Sequence, residues 1–166
     1  MRKRIIAILL LSLITSNVAM AKKKVRVYPR GCSPENTQFE YDYLLLGATP
    51  KPEADPYSVF VFRNMTHQNI LVGQAPEQND MGAHFNSVIE PNRFSAMLIE
   101  RPGFKLVCYD TMGSEPWPVP CNQVLKACQL RVSPIMASAR GQYWIAQNAR
   151  SQRSLFGELR GHGIYP

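Results

Sequence analysis

The brevity of its apolar runs is what most constrains the fold of this chain. Beyond the first 24 residues each run is short, and only one near the C-terminus has helical spacing. Val25-Arg26-Val27-Tyr28 reads as a short strand stopped by Pro29 and Gly31. Phe39 to Leu46 reads as another. Tyr57 to Phe62 is apolar at successive positions, as a central strand buried on both faces would be. Asn64 to Asn69 reads as a turn, after which Ile70-Leu71-Val72 is expected to pair back as a hairpin. Arg93 to Ile99 is the next strand. In Phe104 to Tyr109 the alternation puts Phe104, Leu106 and Cys108 on one face. Asn122 to Arg131 fits either a strand with Val124, Cys128 and Leu130 inward or a helical turn. Gln142 to Ala146 closes the series of strands. Ser151 is then a helix N-cap, with Leu155, Phe156 and Leu159 on one face of a helix over Gln152–Leu159 that Gly161 and Gly163 stop. The expected fold is all-β: a single antiparallel β-sandwich, immunoglobulin-like or cupredoxin-like in outline, with a short C-terminal helix. The absence of long alternating helices argues against a Rossmann-type α/β fold.

The N-terminus sets the compartment in which this sandwich is expected to fold. Met1-Arg2-Lys3-Arg4 is a basic start, Ile5 to Val18 a mainly apolar run, and Ala19-Met20-Ala21 an A-x-A cleavage site. That is the pattern of a secretory signal peptide over residues 1–21, leaving a mature single domain at 22–166. A run of 14 residues rises only about 21 Å as a helix, short of a ~30 Å hydrocarbon core. Lys22-Lys23-Lys24 just after the site runs against easy translocation. Losing Arg2, Lys3 and Arg4 takes the formal charge from +7 to +4, sixteen basic residues against twelve acidic. This is no nucleic-acid footprint, and no nucleic-acid partner is expected. The protein is expected in the periplasm or secreted, with no transmembrane segment after cleavage.

An oxidising compartment gives the four cysteines, Cys32, Cys108, Cys121 and Cys128, a structural meaning. Two disulfides are expected, in one of three pairings. If 122–130 is extended, Cys121 and Cys128 lie about 23 Å apart, where a disulfide needs roughly 5.5 Å. The preferred pairing is Cys108–Cys121, closing the Pro-rich loop between them, with Cys32–Cys128 as the second bridge.

No residue pattern announces catalysis. There is no G-x-S-x-G, H-E-x-x-H, S-x-x-K or P-loop. Cys32 with Asp42 and either His67 or His84 can be drawn as a triad, as any three-histidine chain allows. A blue-copper site would need two His, a Cys and usually a Met; Cys108 is followed by Met112, but no His comes before His162. No enzyme, cofactor or metal is expected. Asn64-Met65-Thr66 is a formal glycosylation sequon. The long connections Gln74–Pro91 and Asp110–Pro120 exceed simple hairpin turns and carry Met81, His84, Phe85 and Trp117. Long loops on a rigid sandwich are the usual place for recognition, so Phe85 and Trp117 are the candidate partner-binding residues.

The signal peptide, the segment Cys121-Asn122-Gln123-Val124-Leu125-Lys126-Ala127-Cys128-Gln129-Leu130 and the segment Gly141-Gln142-Tyr143-Trp144-Ile145-Ala146-Gln147-Asn148 together resemble the enhanced-entry protein EnhB family of intracellular Gram-negative pathogens such as Legionella and Coxiella. The resemblance extends through most of residues 57–164. It implies an exported bacterial envelope or secreted protein that promotes host-cell entry by non-enzymatic binding, and it carries no catalytic residues. The expected partner is an unidentified protein or a component of the envelope or host surface. The alternative expectation is a periplasmic small-ligand or metal carrier on a cupredoxin-like scaffold.

Overall fold

The computed structural model describes residues 27–47, 57–76, 86–100, 102–113, 115–132 and 143–166. The signal peptide, Val25, Arg26 and the 77–85 segment with Met81, His84 and Phe85 lie outside the described residues. The strands are β1 (Cys32–Ser33), β2 (Thr37–Phe39), β3 (Leu44–Leu46), β4 (Ser58–Asn64), β5 (Ile70–Gln74), β6 (Ser87–Ile89), β7 (Phe94–Ile99), β8 (Phe104–Asp110) and β9 (Trp117–Val119). They are followed by a helical turn α1 (Cys121–Val124), β10 (Leu125–Leu130), β11 (Tyr143–Ala149) and helix α2 (Gln152–Gly161). Every strand pairing among the described residues is antiparallel. One sheet runs β1-β10-β4-β7-β11 and the other β2-β3-β8-β5-β6, with β9 added beside β8.

The two sheets face each other across one core. Phe60, Phe62, Met97, Ile99, Leu125 and Ala127 of the first sheet meet Leu44, Leu46, Ile70, Val72, Ile89 and Leu106 of the second, all 2% exposed or less. The first sheet is also buried on its other face. Val59, Val61, Ala96, Leu98, Cys128 and Leu130 form a second core with Leu155, Leu159 and Ile164. Helix α2 lies along β11 and β7 to cover that face. The consecutive apolar residues Val59 to Phe62 are therefore the mark of a three-layer arrangement, helix on sheet on sheet. α2 begins where its sequence says: the Ser151 hydroxyl accepts from the Ser154 N–H at 3.1 Å, and Leu155 and Leu159 form its buried stripe.

Both expected disulfides are present. Cys108–Cys121 lies in the core between the sheets and Cys32–Cys128 in the core beneath α2. The segment from Cys121 to Cys128 takes both of its expected forms in succession, a helical turn and then a strand. This turns Cys121 and Cys128 onto opposite faces of the first sheet.

Four local expectations are corrected. Val27 and Tyr28 are not in a strand; the first strand among the described residues is Cys32–Ser33. Phe39 to Leu46 is two strands, because the chain reverses at Glu40–Tyr43 and β2 pairs with β3. β5 does not pair with β4: the turn after Asn64 carries the chain to the other sheet, where β5 lies between β8 and β6. Trp117 is not in a loop but in a short strand beside the C-terminal half of β8.

Candidate binding surfaces

Two regions at opposite ends of β4 combine exposure with a fixed frame. β4 spans about 20 Å at ~3.3 Å per residue. At its C-terminal end lie the 65–69 turn, the 111–116 connection and β9. Asn64 organises this end. Its side chain is fully buried and satisfied on every side. Oδ1 accepts from the Thr66 N–H and hydroxyl, both at 2.8 Å, and Nδ2 donates to the carbonyls of Gln68 (2.6 Å) and Ile89 (2.8 Å). The sequon asparagine is thus a structural hub, and a glycan on it is incompatible with this fold. The Thr111 hydroxyl donates to the Asn69 carbonyl at 3.0 Å, tying the two turns together.

Trp117 sits on this frame opposite Asp110 and is 69% exposed. A tryptophan is costly to leave in water, and two prolines flank it, so its backbone is stiff. One residue of its strand, Val119, pairs with Cys108, itself disulfide-bonded to Cys121. Met112, on the same connection, is also 69% exposed. Phe85, the other expected contact residue, lies outside the described residues.

At the opposite end, a groove of about 400 Å³ opens beside β1. Three separate stretches build it: 31–36, 57–59 and 129–132. Gly31, in the left-handed region at φ 80°, lets the chain turn so that its carbonyl accepts from the Arg131 N–H at 2.9 Å. Across the floor, the Asn36 amide donates to Gln129 Oε1, and Gln129 Nε2 donates to the Ser58 hydroxyl at 3.0 Å. Tyr57 lies in the wall. The nearby Tyr143 phenol is held above the ordinary tyrosine value, first by burial and then by the neighbouring Tyr57. Glu35 and Arg131 stand exposed at the rim. No sequence run marks this groove, because its floor is assembled from residues 93 and 71 positions apart.

The chemistry of the cysteines is closed. All four are in disulfides, which removes Cys32 as a nucleophile and Cys108 as a copper ligand. Among the described residues, no group of three or more His, Cys, Asp or Glu could hold a metal ion. His67 is exposed on the 65–69 turn and His162 follows α2. Among the described residues, no helix is long and apolar enough to cross a membrane. The chain matches no family model, no curated protein and no solved structure.

Proposed function

We propose that this chain is an exported bacterial envelope or secreted protein that promotes host-cell entry through non-enzymatic binding. The observation that carries the binding reading is Trp117: a large aromatic side chain, 69% exposed, on a strand braced by a disulfide-anchored neighbour. Rigid aromatic side chains make strong anchors because little conformational freedom is lost when a partner covers them. Two disulfides fit folding in an oxidising compartment, as export through the leader at 1–21 would provide. The link to host-cell entry rests on the resemblance to the EnhB family.

The test is capture of partners from bacterial envelope and from host-cell surface, with the wild type and Trp117→Ala compared. Loss of more than about 2 kcal/mol of binding, near thirtyfold, with an unchanged melting temperature is expected of such an anchor. Unchanged capture, or unfolding of the variant, would remove Trp117 from the reading. Phe85→Ala is the companion variant for the 77–85 segment. A second reading, a periplasmic small-ligand carrier, is favoured by the groove beside β1.

A further inference from the structure

We propose that the groove beside β1 is a saccharide-binding site for a neutral, hydroxyl-rich sugar of one to two rings. The inference rests on the small-ligand reading and names its ligand class; it is independent of Trp117, which lies at the other end of β4.

The floor is made of amides and hydroxyls held in place by one another. Gln129 spends one lone pair on Asn36 and one N–H on Ser58. An amide has two of each, so one donor and one acceptor of Gln129 remain unspent. Asn36 Oδ1 likewise has no hydrogen bond among the described residues. These groups alternate donor and acceptor along the floor. Sugar hydroxyls both donate and accept, and they match such a floor better than a carboxylate, which only accepts, or an ammonium, which only donates. Each amide is already fixed by its neighbours, so little rotamer freedom is lost on binding.

Charge points the same way. Glu35 and Arg131 stand at the rim with opposite sign, and they form no salt bridge with each other. Among the described residues they are the only charged ones of the lining, so its formal charge sums to zero and favours no strongly charged ligand. The wall beside this floor is Tyr57, which is partly exposed. A pyranose has apolar C–H faces and a polar edge, and this wall-and-floor division provides for both. A volume of about 400 Å³ falls at the small end of ligand pockets, which sets the limit of one to two rings.

The experiment screens the exported protein, with its disulfides formed, against an array carrying neutral disaccharides of bacterial wall and envelope glycans, neutral mammalian N-glycan fragments, acidic oligosaccharides and short peptides. The best neutral disaccharide is then titrated into ¹⁵N-labelled protein. The side-chain NH₂ signals of Asn36 and Gln129 are expected to shift in the titration. Gln129→Met is expected to weaken binding by about tenfold or more with its melting temperature kept. Wall sugars alone would place the ligand in the bacterial envelope and host glycans alone at the host surface; either supports the site. Preference for acidic oligosaccharides or peptides overturns it, as does no saccharide binding, or binding that leaves both amide signals in place. Should Gln129→Met fail to fold, the wild-type amide shifts decide. Loss of sugar binding with Trp117-dependent capture intact would sink this inference and leave the partner-binding reading standing.

Discussion

Two buried polar side chains show how differently similar groups can act. Asn64 and Ser87 are 0% and 5% exposed. Asn64 makes bonds on both its oxygen and its nitrogen, linking β4, the crossing turn and β6. Ser87 Oγ is buried with no partner among the described residues. Removing a satisfied side chain strands its partners, whereas removing an unsatisfied hydroxyl relieves a desolvation cost. Asn64→Ala is therefore expected to lower stability by about 2–4 kcal/mol, and Ser87→Ala to leave it unchanged or raise it by up to about 1 kcal/mol. Urea denaturation of the two variants checks both signs, and a Ser87→Ala loss near that of Asn64→Ala would contradict the contrast. A second amide, partly exposed, works by shape. Asn148 has a left-handed φ of 55°; its Oδ1 accepts from the Glu90 N–H and its Nδ2 donates to the Val88 carbonyl. One side chain thus bridges β11 of the first sheet to the β6 edge of the second, a place where a strand would otherwise be left open.

At the scale of elements, α2 is the piece that makes the sheet beneath it possible. Without it Val59, Val61, Ala96 and Leu98 would face water. Leu155→Ala is expected to cost about 2–5 kcal/mol, as a buried leucine in a filled core does, and Ser151→Ala about 1 kcal/mol through loss of its cap. The exposed Arg153→Ala is the control, expected within about 0.5 kcal/mol of wild type. If Leu155→Ala behaves like that control, α2 does not hold the face. This helix was legible in the sequence, because its cap residue and its i, i+4 leucines are local signals. The apolar run of β4 was legible as doubly buried for the same reason. The partner of β5 was not. Ile70-Leu71-Val72 follows a turn of hairpin length, and only the four bonds of buried Asn64 turn the chain toward the other sheet. The break in Phe39–Leu46 was hidden because Tyr41 and Tyr43 read as strand residues, while Tyr41 is in fact 85% exposed at the reversal. The strand at Trp117 was hidden by its two prolines, which the edge position beside β8 tolerates. The groove was not legible at all, since Asn36, Ser58 and Gln129 meet only after β4 and β10 pair.

For the whole molecule, the two disulfides are distributed one to each core, and they close chain loops of very different length. Cys108 and Cys121 are 13 residues apart and Cys32 and Cys128 are 96 apart. On the chain-entropy account, the first restrains the unfolded state by about 3 kcal/mol and the second by about 4.7 kcal/mol. Domains of this size are stable by only about 5–15 kcal/mol in all, so losing both bridges removes most of the margin. Full reduction is expected to unfold the protein at 37 °C, which confines folding to an oxidising compartment. The order of the single losses is the sharper test. Cys32→Ala/Cys128→Ala is expected to lower the unfolding free energy more than Cys108→Ala/Cys121→Ala, by about 1–2 kcal/mol on loop length alone. Packing acts against this order: Cys108 and Cys121 are both buried in the core between the sheets, whereas only Cys128 of the other pair is buried. Removing two buried sulfurs leaves a larger void than removing one. Urea unfolding of the two double variants separates the two effects. A larger loss for the long-loop pair shows that restraint of the unfolded chain dominates, as expected here; a larger loss for the short-loop pair would mean that the inter-sheet core depends on its sulfurs for packing more than the chain depends on them for restraint.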